Sequence, residues 1–194
     1  GHTEIGLALG PERYTPVIRK VQGFTAAMRQ HLGMESAHLE RLVTHTVFSL
    51  EGGAAAAGRL ITRGATAVIC GSDLMALGAI RQARAMGLTV PRDVSVVGYD
   101  DSTMMAFTDP PLTTIRQSVE AMGDAAVRAL LDDIAGEGPP RAEYVFRPEL
   151  VVRGSTGAAP GRGCRHPDAG SVTIVTGTRS PTGASPACAP IVGA

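Results

Sequence analysis

The sequence predicts an α/β protein built on a parallel sheet that is covered on both faces. Three observations lead there. Short apolar runs recur along the first 156 positions, and those at 4–9, 67–71 and 93–98 end at or directly before a glycine. Between them lie longer segments whose apolar residues return at three- and four-residue intervals. The short runs do not alternate apolar with polar, as strands of a half-wetted antiparallel sheet do. A strand that is apolar throughout stays dry on both sides only if helices cover it.

Taken in order, Glu4–Leu9 is the first strand, closed by Gly10–Pro11. Val17 to Leu32 carries helical spacing in Val17, Val21, Phe24 and Met28, with Gly33 placed as its C-cap. Leu42–Phe48 reads as a strand. Glu51 to Arg63 is Ala-rich and helical, followed by Gly64. Ala67–Gly71 is a buried strand, and Leu74 to Met86 is a helix stopped by Gly87. Asp93–Gly98 is a second buried strand, rich in β-branched residues. Ser118 to Ile134 is a long helix ended by Gly136, and Tyr144–Val152 is a last strand.

Hydrophobic residues make up 44% of the 194 positions and charged residues 19%, ordinary values for a globular protein. Eighteen basic residues balance eighteen acidic ones, so nothing in the charge points to nucleic acid or an anionic membrane. Lys20 is the one lysine; every other cationic side chain is Arg. No apolar stretch reaches the length of a membrane span. Cys70 sits in an apolar run as a small hydrophobe, and Cys164 and Cys188 complete no metal-type spacing. His31, His38 and His45 recur every seven residues but on different elements, so they read as surface histidines and not as a metal site. No cofactor is expected. A reducing, cytoplasmic compartment fits this usage. The chain does not begin with Met, and Gly1–His2 leads almost directly into a strand, so the start reads as artificial. From Gly157 to Ala194 glycine and proline are frequent and aromatics absent, which predicts a low-complexity, disordered tail; only Ser171–Val175 alternates like a strand.

In parallel sheets ligands bind beyond the carboxyl ends of the strands. Four strand ends then share one edge: Gly10–Pro11, Phe48, Ser72–Asp73 and Tyr99–Asp100–Asp101. Asp100 admits two readings, a capping carboxylate or a double acceptor for ligand hydroxyls or ring N–H groups. Phe48 is either core or a platform for a ligand face. Ser72 and Asp73 precede the helix from Leu74, where Asp73 is expected as the N-cap. Asp101 is expected as a cap too.

The segments AVICGSDLMALGAI (67–80), GLTVPRDVSVVGYDD (87–101), PPLTTIRQ (110–117), GHTEIGLALGP (1–11) and FRPELVVRGST (146–156) resemble the effector-binding domain of LacI/GalR-type transcription repressors. The likeness covers 1–156 in the family's order and none of 157–194. It implies a type I periplasmic-binding-protein-like fold, mainly the C-terminal lobe. Residues 1–116 and 141–153 would form that lobe and 117–140 a piece of the N-terminal lobe. The rest of that lobe and a helix-turn-helix headpiece would be missing, so the chain reads as a fragment that binds effector poorly alone. The apolar face of the 118–136 helix (Val119, Met122, Ala126, Leu130, Ile134) would then have no lobe to pack on.

By the same resemblance, Asp100, Phe48, Ser72, Lys20, Tyr14 and Gln117 are the candidate effector contacts. Lys20 stands where the family usually has Arg, and Lys cannot make the bidentate fork. Tyr14 reads equally as a solvated loop residue, and Gln117 as hinge, ligand contact or neither. Met75, Leu77, Met104, Met105 and Phe107 are the candidate homodimer surface. The implied function is a regulator that senses a small molecule, a sugar first and a nucleobase or nucleoside second, between two lobes. DNA would be contacted only through the headpiece. The effector acts through its differential affinity for open and closed states. The alternative is a periplasmic-type sugar-binding protein of a transport system. No catalytic motif is present, so an enzyme is not expected.

Overall fold

The computed structural model describes residues 1–136 and 143–161. Cys164, Cys188, the Ser171–Val175 run and the expected tail beyond residue 161 lie outside the described residues, as do 137–140 of the expected N-terminal-lobe piece and 141–142 of the return strand.

The elements are β1 (Ile5–Leu9), α1 (Thr15–Leu32), α2 (Ser36–Leu42), β2 (Val43–His45), α3 (Leu50–Thr62), β3 (Ala67–Cys70), α4 (Asp73–Ala85), β4 (Ser95–Asp100), a 3-10 turn (Thr103–Ala106), β5 (Thr113–Arg116), α5 (Val119–Ala135) and β6 (Glu149–Val151). They form one sheet in the order β2-β1-β3-β4-β5-β6. Every neighbouring pair is parallel except β5 and β6, which run antiparallel.

Alternation along β1 sorts the two faces. Leu7 and Leu9 join Val17, Phe24, Met28, Leu39 and Leu42 beneath α1 and α2. Ala8 points the other way, into a larger core of Val68, Cys70, Val96 and Leu112 under α3 and α4. Burial pushes the Cys70 thiol up to about 12, so it stays a protonated, inert hydrophobe. α1 starts with a proline in its first turn and ends with Gly33 at φ 63°, the left-handed conformation that glycine adopts without a Cβ clash. α3 and α4 cross with almost no side chain between them. A Cβ on Gly53 would overlap the carbonyl oxygen of Met75, and one on Gly78 that of Leu50.

Three elements differ from the sequence expectation. Ser36–Leu42 forms α2 before β2, which shortens the expected strand to three residues. Thr113–Arg116, expected only as an approach to a crossing, is a full strand. Its first two threonines are buried at 1% and 0% exposure, which their hydroxyls permit by finding partners. Thr114 donates to Asp73 Oδ1 at 2.5 Å, and Thr113 Oγ1 lies 3.0 Å from Thr156 Oγ1. The last strand is antiparallel. Gly157, placed in the expected tail, still donates to Ser95 Oγ at 3.1 Å and so belongs with the sheet.

α5 has no buried residue. Val119, Met122, Leu130 and Ile134 are all exposed, Ile134 at 73%.

Candidate functional site

Parallel register brings the strand ends to one edge. Asp100, the last residue of β4, lies opposite Arg116, the last of β5. Gln117 follows at once and donates from Nε2 to Asp100 Oδ1 at 3.0 Å. Asp100 and Asp101 both take positive φ, 115° and 55°. Two consecutive non-glycine residues there are strained, and such strain persists only where neighbours over-determine it. The turn sends the two carboxylates to different places. Asp100 stays open to solvent, while the Asp101 side chain is 7% exposed.

Lys20 reaches in from α1, its Nζ 3.7 Å from the centroid of the Tyr99 ring. A cation on an aromatic face is attracted by the ring quadrupole. Burial lowers the Lys20 ammonium pKa, with Asp100 opposing. Burial raises the Asp100 carboxyl above the usual carboxylate range; the Gln117 hydrogen bond and Lys20 oppose that, and Asp73 adds to it. The Tyr99 phenol is pushed up by burial and by Asp100. Acceptor, donor amide and ring face are thus held together in a partly dry place.

A second group sits at the ends of β1, β2 and β3. The Tyr14 and Phe48 rings are 6.5 Å apart, tilted by 40°, and both are about half exposed. The Phe48 ring lies directly on Gly10, where a Cβ would overlap it, and close to Gly71. Gly71 leads into Ser72. The rim therefore runs Tyr14, Phe48, Gly71, Ser72.

Two expected roles change here. Ser72, not Asp73, is the N-cap of α4, its hydroxyl accepting the Met75 N–H at 3.3 Å. Asp73 is the first helical residue and is 2% exposed. Its carboxylate accepts the Thr114 hydroxyl and, at 2.7 Å, the Ser102 N–H. A Cβ on Gly98 would come within 2.5 Å of Asp73 Oδ1, so the strand must be bare at that point.

Asp101 is not a cap either. Its Oδ2 accepts from Arg116 Nε and its Oδ1 lies against an Arg153 guanidinium nitrogen, each at 2.7 Å. Burial opposes ionisation, but the Arg153 and Arg116 guanidinium groups against the carboxylate outweigh it and hold the carboxyl below its ordinary 3.8. A depressed folded pKa contributes stability above the unfolded value, which is lost as pH falls through the folded one. Asp101→Asn should therefore cost about 2 kcal/mol near neutrality, a figure lowered because both arginines still reach water. Thermal melts from pH 7 downward should show the gap between parent and variant closing below 3.8. A gap that stays constant into acid would refute the assignment.

A cleft of about 300 Å³ opens beside the Asp100–Gln117 pair, lined by Tyr99, Gln117, Ser118, Met122, Tyr144 and Phe146 among others. Tyr99, Ser118, Met122, Tyr144 and Phe146 were missed from the sequence. Tyr99 alone carried a signal, as the residue between a buried strand and Asp100.

The expected dimer residues divide. Met104 and Phe107 are exposed at 65% and 79%. Leu77 packs partly on the core. Met75 and Met105, at 0% and 6%, are interior and offer nothing to a partner. Met75 lies on the face of α4 that carries Ala76, Ala79, Ile80 and Ala83 inward, and Leu74 is the exposed neighbour. His38, expected as a plain surface histidine, lies 3.0 Å from Glu4 Oε2, and His45 Nδ1 lies 3.0 Å from the Gly10 carbonyl. No helix among the described residues is long and apolar enough to cross a membrane.

Residues 1–156 match the periplasmic binding protein-like domain family. The HTH-type transcriptional regulator MalR of Streptomyces coelicolor is 61% identical over 162 residues, 83% of this chain and 47% of MalR. The transcriptional repressor CytR of Escherichia coli K12 is 38% identical over 162 residues, 82% of this chain and 47% of CytR. The chain thus spans about half the length of these curated relatives. Among solved structures, a transcriptional regulator CelR-cellobiose complex superposes with TM-score 0.73 at 39% identity, covering 80% of this chain and 47% of that one. The lac repressor dimer bound to operator and the anti-inducer ONPF gives TM-score 0.71 at 30% identity, covering 81% and 54%.

Proposed function

This chain belongs to the periplasmic binding protein-like domain family, in the branch found in LacI-type transcriptional regulators, and from that premise we propose that it reads a neutral sugar as effector. The observation that carries the reading is the Asp100–Gln117 pair at the end of β4 and β5, with the Tyr99 ring beside it. A carboxylate accepts two hydroxyls at once, an amide both donates and accepts, and aromatic rims suit the apolar face of a pyranose. Phe48 and Tyr14 would supply that rim, with Ser72 and Lys20 beyond. Cellobiose in the CelR complex supports a saccharide over a nucleoside.

DNA reading is assigned to a helix-turn-helix segment of a longer protein, acting in the cytoplasm as a dimer. Leu74, Met104 and Phe107 are the exposed apolar residues offered for the dimer contact. A transport-type binding protein is the less supported reading, since the curated relatives are regulators.

Titration calorimetry with glucose, cellobiose, maltose and cytidine tests the ligand class. A saccharide should bind, more weakly to this chain than to a protein that carries both lobes, and Asp100→Asn should weaken it about 10- to 100-fold, the loss expected for hydrogen bonds to a charged group. Saturable binding of cytidine alone would overturn the sugar reading.

A further inference from the structure

Asp101 holds together two strands that do not pair through it. Arg116 is the last residue of β5, the strand that leaves the sheet for α5. Arg153 follows β6, the strand that comes back. Both guanidinium groups meet the single Asp101 carboxylate at 2.7 Å. Arg153 is fixed further: its backbone N–H donates to Thr113 Oγ1 at 2.9 Å and its Nη1 to the Leu112 carbonyl at 2.8 Å. Arg116 also reaches Glu149 on β6, at 3.5 Å.

What stands on this clasp is the Asp100–Gln117 pair. Asp100 precedes Asp101 and Gln117 follows Arg116, so the clasp and the pair are the same two chain segments one residue apart. The positive φ at Asp100 is a conformation that an L-residue leaves unless something holds it. α5 buries no residue of its own, so the aim of its first turn, including Ser118 and Met122 in the cleft, depends on its connections to the sheet.

We propose that Asp101, with Arg116 and Arg153, is a positioning cluster that sets the Asp100–Gln117 pair at the edge of the cleft that Gln117 lines. Asp101 touches no ligand in this scheme. It acts through the strained turn before it and the β5 end beside it. The functional value of the cluster rests on the reading of Asp100 as a ligand contact; its structural action does not.

The chain makes the test simple, because it contains no asparagine and only four glutamines, at 22, 30, 82 and 117. Labelled with nitrogen-15 glutamine, the whole chain gives four side-chain amide pairs. The Gln117 pair, identified by loss in Gln117→Glu, should lie at low field while it donates to Asp100. In Asp101→Asn it should move toward the position it takes in Asp100→Ala, which has no side-chain acceptor, with the pairs of Gln22, Gln30 and Gln82 unmoved. Arg116→Met should do the same, and Arg116→Lys, which keeps the charge, should retain most of the parental position. If Asp101→Asn fails to fold, the two Arg116 variants decide alone, since that side chain is half exposed. A Gln117 pair that stays put, or four pairs that move together, overturns the positioning role. No ligand is needed, so failure of every sugar to bind would sink the proposed function and leave this result readable.

Discussion

Gly78→Ala will lose about 3 kcal/mol of stability or fail to fold, a large value for the addition of one methyl group. Overpacking is tolerated where a flexible side chain can swing away, and here none is in the path. The added Cβ meets the backbone of α3 at Leu50 and Ala54. Gly53 makes the reciprocal approach, its Cα facing the backbone of Met75 on α4. Relief would require the helices to separate, and that would open the core of Ala56, Ala57, Ala76 and Ala79, each at 0% exposure. Residues so small cannot fill the gap by changing rotamer. Urea unfolding of Gly78→Ala and Gly53→Ala, with the double variant, measures this. Once one methyl has parted the helices the second should cost much less, so the losses should be far from additive. Additive losses would mean that the two contacts yield independently.

Asp73→Ala should cost about 3 kcal/mol and act at a distance from its own helix. The carboxylate is enclosed and satisfies a β5 hydroxyl and the Ser102 amide before the Thr103–Ala106 turn. Truncation leaves Thr114, at 0% exposure, without an acceptor and the Ser102 N–H unpaired. The buried Thr114 hydroxyl loses its hydration and gains nothing in return, while the Ser102 N–H, on an exposed residue, turns to water. Asp73→Asn keeps the shape and one acceptor oxygen, so its loss should be smaller. The distinguishing readout is hydrogen exchange. The Ser102 amide should lose protection in Asp73→Ala more than amides in β1 do. Equal loss everywhere would show that Asp73 serves α4 alone.

Strands and helices that bury one clear face were legible in the sequence. Val17, Val21, Phe24 and Met28 repeat at helical spacing and their helix is there; AVIC and SVVG are dry on both sides and lie mid-sheet. β5 was not legible, because two prolines and two threonines look like loop chemistry until Asp73, Ser155 and Thr156 are seen to satisfy those threonines. Nor was the direction of β6, which depends on where α5 returns the chain. Caps were misplaced by one position: serine and aspartate both serve at an N-cap, and only the buried partners of Asp73 decide between them. Asp101 reads as a turn residue in one dimension, since both its arginines are distant in sequence. Met75 and Met105 were taken for surface because apolar residues near a helix start look the same whichever way the helix is rolled. The candidate roles of Asp100, Phe48, Ser72, Lys20, Tyr14 and Gln117 came from resemblance. The geometry that joins Asp100 to Gln117 and Lys20 to Tyr99 needed coordinates.

The scarcity of lysine has a practical consequence. Seventeen of eighteen basic side chains are guanidinium groups, which amine-directed acylating reagents ignore. The one side-chain amine that remains lies over the Tyr99 ring at the candidate site, and burial makes it give up its proton more readily than a free lysine. The molecule thus carries its own address for a dye, a photocrosslinker or a mass tag, next to Asp100 and needing no engineered cysteine. Occupancy of the cleft becomes something that can be counted by how far a soluble compound shields that amine from the reagent.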